Sequence, residues 1–287
     1  MERKIDSSIF MDTPVNSNIT PTVEIKAPAI SVKHLRQIFN EGTSNEYRLF
    51  DDFNLDITDV PYESELISIM GGSGCGKSQL LRAIAGLSKI PEGEISIYGK
   101  RIEEYGAVPM VFQTYSNYEW MTVLENVMLP MTIKGVPKKE AAEKAMDWIK
   151  LVGLEEHANK YAKNSELSGG QLQRVSIARS LACDSKIILL DEATGALDIK
   201  MKREVQNIIL KILNSAEKTI INVTHSVEEA VYLSTKVIIL MPKPCRIYKT
   251  MDIDFGSGAP RDKWILDTPQ FMEYSNELTK HLEEVCK

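Results

Sequence analysis

Short apolar segments separated by polar turns fill the first hundred residues, and the hydrophobic period then becomes helical. The apolar runs lie at 29–38, 48–57, 65–70 and 95–99. Their spacing predicts strands, and the polar loop at 40–46 between the first two favours an antiparallel pair. From 122 to 163, apolar residues recur at the spacing of amphipathic helices. We therefore expect a strand-rich region followed by an α-helical insert at about 114–168.

Helix-length and strand-length segments alternate in the second half of the chain. The helical segments are 169–182, 200–216 and 226–233, and the apolar runs are 186–190, 218–223 and 236–241. This alternation is typical of a parallel sheet in an α/β fold, so the sheet as a whole is predicted to be mixed. Pro269 begins a last helix with one apolar face. That face comprises Phe271, Tyr274, Leu278, Leu282 and Val285, and we expect it to pack on the body of the protein.

Composition places the chain among ordinary globular proteins. Its 287 residues are 43% hydrophobic and 26% charged, and the net charge of −6 provides no general attraction to nucleic acid. Since no apolar run is long enough to span a bilayer and residues 1–6 lack a signal-peptide core, we expect a cytoplasmic protein. Residues 1–28 are predicted to form a flexible leader. The four cysteines, Cys75, Cys183, Cys245 and Cys286, are widely spaced, which favours reduced thiols.

A glycine-rich segment, SIMGGSGCGKSQLLRAIAG, joins an apolar run to a predicted helix. The spacing Gly71-x-x-x-x-Gly76-Lys77-Ser78 matches a phosphate-binding loop, because glycines let backbone N–H groups surround an anion. In such a loop Lys77 contacts the β- and γ-phosphates of ATP, and Ser78 holds Mg²⁺. An accidental glycine turn is the alternative, and the strand and helix on either side disfavour it. The other predicted ATP-binding positions of the loop are Gly72, Ser73, Gly74, Cys75 and Gln79.

A second candidate segment, KIILLDEAT, is an apolar run that ends in two carboxylates. A buried central strand presents such acids to a ligand at its carboxyl end. Asp191 is placed to anchor Mg²⁺, and Glu192 to polarise the water that attacks the γ-phosphate. By itself the segment would better suit a strand followed by a solvated acidic turn, and the glycine loop is what favours the catalytic interpretation.

Between these segments, LSGGQLQRVSIARSLA opens a helix with a serine and two glycines and so provides a second anion-binding turn. The segment Leu167-Ser168-Gly169-Gly170-Gln171, about twenty residues before Asp191-Glu192, resembles the signature of the ATP-binding-cassette (ABC) ATPases. The resemblance extends over about residues 30–250. It includes Phe112-Gln113, Ala196-Leu197-Asp198 and Val223-Thr224-His225 in the family's order.

The resemblance implies a P-loop ABC cassette at 29–250 and an extension with a terminal helix at 251–287. It also implies a head-to-tail pair of cassettes, either two copies of this chain or this chain with a homologous one. Each of two ATP molecules would then lie between the glycine loop of one subunit and the signature segment of the other. That segment contributes Ser168, Gly169, Gly170 and Gln171.

Further roles follow only from the resemblance. Gln113 would contact Mg²⁺ and the attacking water, His225 the γ-phosphate, and Asp198 would link the two sites. Phe39 is the best match for the aromatic that stacks on adenine, with Tyr47 as the alternative, and Phe39 as a core residue is a further alternative. Gln79 replaces the family's usual threonine and Gly72 a common proline. Since Glu192 and His225 are retained, we expect ATP hydrolysis with Lys77 and Gln113 rather than an inactive nucleotide switch.

The segment FQTYSNYEWMTVLENVMLP resembles that of nitrate, sulfonate and taurine importers. This implies an ATPase on the inner face of the membrane that contacts permease subunits and, indirectly, a solute-binding protein. A surface formed by Tyr118, Trp120, Val123 and Val127 would receive a permease helix. The alternative is that Trp120 packs inside the insert. A soluble or division-type single-cassette ATPase is the alternative function, and the acidic charge disfavours nucleic-acid partners.

Overall fold

A computed structural model describes residues 27–58, 64–102, 108–215, 217–256 and 261–285. The predicted leader at 1–28 lies outside these residues except for its last two positions, so its flexibility stays a prediction. None of the helices in the described ranges has both the length and the apolarity that a membrane span requires.

Ten strands and seven α-helices make up the described chain. The strands are β1 (Ile30–Phe39), β2 (Tyr47–Ile57), β3 (Glu65–Gly71), β4 (Glu92–Ile97), β5 (Lys100–Arg101), β6 (Met110–Val111), β7 (Ile187–Asp191), β8 (Thr219–Val223), β9 (Lys236–Met241) and β10 (Arg246–Asp252). The helices are α1 (Lys77–Ile84), α2 (Val123–Ile133), α3 (Lys138–Leu151), α4 (Gly169–Leu181), α5 (Ile199–Ser215), α6 (Val227–Leu233) and α7 (Pro269–Val285). Short 3₁₀ turns lie at Glu155–His157 and Lys263–Asp267.

Four strands form an antiparallel sheet in the order β2-β1-β4-β5. Apolar residues on one side of β1 and β2, among them Val32, Leu35 and Phe53, are almost fully buried, whereas Lys33 and Asp52 are exposed. This alternation produces a sheet with one face on the core and one in solvent. The predicted antiparallel portion of the fold is therefore confirmed.

Six strands form a second sheet in the order β10-β9-β3-β8-β7-β6. Its strands β9, β3, β8, β7 and β6 are parallel, and β10 pairs antiparallel with β9. The strands β3, β7 and β8 are buried throughout, as expected for strands covered on both faces. Register pairs Ile69 with Val223 and Asp191 with Val223. The carboxyl ends of these three strands therefore meet at one edge of the sheet.

The helical insert between β6 and β7 comprises α2, α3 and the 3₁₀ turn, and it leads into α4. Thr122 caps α2, and Ser168 caps α4, each in a reciprocal arrangement with the side chain three residues later. The buried faces of α2, α3 and α4 share one hydrophobic cluster with the second sheet. The α/β cassette with a helical subdomain, predicted from the sequence, is confirmed.

Helix α7 packs on the body, as predicted. Phe271, Leu278 and Val285 are buried, and Tyr274 and Leu282 pack beside them. Strand β10 was not predicted, because only Met251 of its seven residues is buried and the strand therefore lacks an apolar run. The predicted boundary between residues 250 and 251 falls inside this strand.

Candidate functional site

The glycine loop joins β3 to α1 at the edge where the buried strands end. A Cβ atom on Gly71 would lie 2.2 Å from the carbonyl oxygen of Leu240, so no larger residue fits there. Gly76 precedes α1 with φ +94°, a left-handed conformation that favours glycine. Lys77 is buried, and its Nζ donates to the carbonyl oxygens of Gly71 at 2.9 Å and Gly72 at 3.0 Å. The loop therefore surrounds the ammonium group of Lys77.

A hydroxyl and a carboxylate meet next to the loop. Ser78 Oγ donates to Asp191 Oδ1 at 2.8 Å, although the two residues are 113 positions apart. Burial raises the pKa of the Asp191 carboxyl, and the hydrogen bond from Ser78 opposes this effect. Both groups offer the oxygen ligands that Mg²⁺ prefers. Within the described ranges no three His, Cys, Asp or Glu side chains form a metal cluster, so Mg²⁺ would complete its shell with water and phosphate oxygens.

The second carboxylate lies beside a histidine. His225 Nε2 is 2.6 Å from Glu192 Oε1, and the histidine side chain is half exposed. Glu192 has φ +50°, which is uncommon for a residue with a side chain. Its N–H donates to the carbonyl of Val223, and its carbonyl accepts from Gly195. These bonds hold the Glu192 backbone in this conformation between β8 and the following turn.

An open pocket of about 400 Å³ lies over the loop. It is lined by Tyr47, Leu49, Ser73, Gly74, Gly76, Lys77, Ser78, Gln79, Glu192 and His225. Gln79, which replaces the family's threonine, donates from Nε2 to Ser88 Oγ at 3.2 Å. The pocket therefore combines one lysine, the loop backbone and the Glu192–His225 pair.

Tyr47 rather than Phe39 lines this pocket. Phe39 is 44% exposed and stacks on Tyr47 with ring centroids 6.3 Å apart, while the Tyr47 hydroxyl donates to the Gly74 carbonyl at 2.7 Å. The alternative of Phe39 as a core residue is wrong, because the ring is too exposed. The stacked pair places Tyr47 against the loop with Phe39 beside it, and the aromatic contact with adenine stays a prediction.

Cys75 contributes to the loop through its backbone only. Its side chain is 1% exposed, belongs to the hydrophobic core and lies 3.7 Å from Lys77 Nζ. The sulfur therefore does not face the pocket, and binding of ATP through the Cys75 backbone stays a prediction.

The signature residues lie away from the pocket lining of their own chain. Ser168 is exposed and Gln171 partly exposed, and Ser168 Oγ accepts from the Gln171 N–H at 3.3 Å. A Cβ on Gly169 would lie 2.3 Å from the Tyr115 hydroxyl, and one on Gly170 would contact Met201. Glycine at these positions therefore leaves room for the Tyr115 and Met201 side chains to pack closely.

Two other predicted residues flank this region. Asp198 is exposed, and its Oδ1 accepts from the Met201 N–H at 2.9 Å, which caps the first turn of α5. Gln113 is exposed just after β6, with its Nε2 3.7 Å from the position of a Cβ on Gly195. Gln113 therefore reaches the turn that follows Glu192.

The predicted partner surface is smaller than expected. Trp120 is 70% exposed and packs edge-on against Tyr118, so the alternative that Trp120 packs inside the insert is wrong. Val123 and Val127, however, are fully buried in the hydrophobic core and cannot line a surface, because the apolar side of α2 faces inward. Asn126, which sequence reasoning missed, is buried and bonds both the N–H and the carbonyl of Tyr118.

Comparison with known proteins identifies the family. The profile of the ABC transporter family matches residues 52–195. An uncharacterized ABC transporter ATP-binding protein of Methanocaldococcus jannaschii is 43% identical, with 90% of this chain and 93% of that protein covered. The taurine import ATP-binding protein TauB of Rhizobium johnstonii is 39% identical (77% and 84% covered), and the nitrate import ATP-binding protein NrtD of Synechocystis sp. is 40% identical (76% and 83% covered).

Solved structures agree with this result. A dimeric bacterial ABC transporter cassette aligns with a TM-score of 0.67 and 31% identity, covering 78% of this chain and 99% of that one. A post-hydrolysis state of the ATP-binding cassette bound to ADP and phosphate aligns with a TM-score of 0.66 and 30% identity, with the same coverage. With the glycine loop, the paired acids and the histidine at one sheet edge, the chain is an ATP-hydrolysing cassette and belongs to the ABC transporter family.

Proposed function

We propose that this chain is the subunit that hydrolyses ATP for a membrane importer, and that Glu192 is its general base. The observation that supports this proposal most is the 2.6 Å contact of Glu192 Oε1 with His225 Nε2 at the pocket that also contains Lys77 and Ser78. A carboxylate and an imidazole at this position can orient a water and contact the terminal phosphate.

Each group of the pocket then has a task in phosphoryl transfer. Lys77, released from the loop carbonyls, neutralises charge on the β- and γ-phosphates, and the loop N–H groups bind the phosphate oxygens. Mg²⁺ bound through Ser78 and Asp191 offsets the charge on the phosphates when it is present. Glu192 accepts the proton of the attacking water, and His225 donates a hydrogen bond to the γ-phosphate.

The second half of the site comes from another cassette. Ser168, Gly169, Gly170 and Gln171 lie outside the pocket of their own chain, and the exposed N-terminus of α4 offers N–H groups to an anion. We infer a head-to-tail homodimer in which this turn of the second subunit contacts the ATP, with Asp198 and Gln113 beside it. Glu192→Gln should form an ATP-dependent dimer by light scattering, and Ser168→Arg in that background should remain monomeric. A dimer that persists in the double variant would contradict this geometry.

The importer assignment rests on the exposed aromatic pair and on the relatives. Tyr118 and Trp120 lie on the surface of the segment between β6 and α2, and the Arg179 guanidinium stacks on Tyr118 with 5.3 Å to its ring centroid. An exposed aromatic pair held by such contacts suits a protein partner. The names of TauB and NrtD favour a small anionic or organic solute such as taurine, a sulfonate or nitrate.

In this proposal the chain lies on the cytoplasmic face of the membrane and binds permease subunits, to which a solute-binding protein delivers the solute. Proteoliposomes that contain the permease, with the chain and ATP inside and the solute-binding protein outside, should accumulate one of these solutes only when the internal ATP is present, and Glu192→Gln should abolish uptake. The alternative is a soluble or division-type cassette, and recovery of the chain without any multispanning protein from solubilised membranes would favour it.

A further inference from the structure

Glu229 is a buried carboxylate directly behind the hydrolytic site. The residue is 1% exposed, three side chains donate hydrogen bonds to it, and one lysine forms an ion pair with it. Thr194 Oγ1 and Gln206 Nε2, the latter at 3.1 Å, donate to Oε2, and Asn222 Nδ2 donates to Oε1 at 3.2 Å. Lys202 Nζ lies 3.5 Å from Oε2. Both oxygens are therefore bonded, as a buried carboxylate requires.

These donors come from the segments that bear the candidate catalytic residues. Thr194 is two residues after Glu192. Asn222 lies near the end of β8, three residues before His225. Lys202 and Gln206 lie on α5, which begins directly after Asp198. Glu229 thus joins the Glu192 turn, the His225 strand and α5 at a single carboxylate.

The backbone around Glu229 extends the same connection. The Glu229 N–H donates to Ser226 Oγ at 3.2 Å, which caps α6 immediately after His225. The Glu192 N–H donates to the carbonyl of Val223, the residue that follows Asn222. A shift of Glu229 would therefore move both the histidine and the turn that follows the general base.

A purely structural role is the simplest alternative. Breaking a buried charged network by removing one partner is strongly destabilising in general. Stability alone, however, would not require the three hydrogen-bond donors and Lys202 to come from three separate site-bearing segments. The adjacent Glu228 provides the comparison, because its side chain is 58% exposed and its bond, at 2.7 Å, is to Arg203 of α5 rather than to the Glu192 turn or β8.

We propose that Glu229 is a positioning residue of the ATPase. Its carboxylate holds the turn after Glu192 against the end of β8, so that Glu192 Oε1 and His225 Nε2 stay at hydrogen-bond distance. This inference rests on the proposed roles of Glu192 and His225. It concerns the geometry of the hydrolytic step and not the binding of ATP, because Glu229 lies outside the pocket lining.

The first test compares Glu229→Gln with Glu228→Gln in the full-length chain. The introduced amide carries an NH₂ group where the network supplies only donors, so at least one bond must break and the turn must move. Since a misplacement of about 1 Å can cost on the order of a hundredfold in rate, we expect kcat of Glu229→Gln to fall at least about tenfold. The KM for ATP and the Kd of a non-hydrolysable ATP analogue should stay within about twofold, a split that general destabilisation would not produce.

Glu228→Gln should match the wild type in kcat and KM, and both variants should be assayed well below their melting temperatures. The inference is wrong if kcat of folded Glu229→Gln stays within about twofold of wild type, or if analogue affinity falls in parallel with kcat. Glu192→Gln, measured beside it, separates the two levels of argument. Wild-type turnover by Glu192→Gln would contradict the proposed function, whereas an inactive Glu192→Gln with a fully active Glu229→Gln would contradict this inference alone.

A milder pair of variants decides the question if Glu229→Gln does not fold. Thr194→Val removes only the hydroxyl that donates to Glu229, and Thr194→Ser retains it. We expect kcat to fall by about tenfold in Thr194→Val, at unchanged analogue affinity, and to recover most of that loss in Thr194→Ser. Equal kcat values for the two variants would overturn the proposal, since the hydroxyl bond would then have no influence on turnover.

Discussion

Replacing Trp120 by alanine separates a partner surface from a packing role. Trp120 is 70% exposed, so its removal leaves the core intact. A tryptophan can bury roughly 150–250 Å², so the exposed part is roughly 100–175 Å². Covering that area contributes at most about 3–4 kcal/mol at about 25 cal/mol per Å². The affinity for a permease should therefore fall by up to about two to three orders of magnitude, because each 1.4 kcal/mol is tenfold.

The assay measures three quantities for Trp120→Ala: melting temperature, basal ATPase activity and recovery of permease subunits, identified by mass spectrometry, from solubilised membranes. The first two should match wild type, and the third should be lost. Trp148→Ala is the matched control, because Trp148 is partly buried against the core on α3. That variant should melt at a lower temperature and still recover the permease. A large fall in the melting temperature of Trp120→Ala, or unchanged permease recovery, would refute the reasoning.

Three further predictions follow from burial and charge. Because burial raises the pKa of Asp191, the ionised carboxylate lowers the stability of the folded protein at neutral pH. Asp191→Asn should therefore melt at a higher temperature than wild type at pH 7, and this difference should shrink as the pH falls through the pKa of native Asp191. The same variant should lose Mg²⁺-stimulated hydrolysis. Equal melting temperatures at pH 7 would contradict this sign. Leu278→Ala should lower the free energy of unfolding, measured by denaturant titration, by about 3 kcal/mol because Leu278 is fully buried. Met272→Ala, on the exposed side of α7, should change it by less than about 0.5 kcal/mol. Maleimide should label native Cys75 far more slowly than Cys183, and equally fast labelling by peptide mass mapping would show that the loop opens readily.

Features that depend on local spacing could be predicted from the sequence. The glycine loop was recognised because only glycine suits two of its positions. Gly71 lies too close to the Leu240 carbonyl for a side chain, and Gly76 has a left-handed backbone conformation. The parallel sheet followed from the alternation of apolar runs and helices. The two acids at the end of β7 were recognised because they follow an apolar run in a chain that also contains the glycine loop.

Features that depend on tertiary contact could not be predicted in the same way. The bond between Ser78 and Asp191 joins residues 113 positions apart. The two motifs assigned both residues to Mg²⁺, but no local pattern predicts that their side chains meet. The apolar pattern of α2 was compatible with either side facing solvent, so Val123 was assigned to the surface although it is buried. The network at Glu229 was not predicted, because a glutamate on a short helix is ordinarily solvent-exposed.

The most direct test of the account is phosphate release from ATP by the purified chain and by Glu192→Gln, each with Mg²⁺ and at ATP concentrations well above the Kd. The wild type should turn over continuously, and Lys77→Ala should bind ATP weakly. Glu192→Gln should bind ATP as tightly as wild type and release phosphate at least about a hundredfold more slowly, because it lacks the base that accepts the proton of water. Phosphate release by Glu192→Gln at the wild-type rate would contradict the assignment of the hydrolytic site.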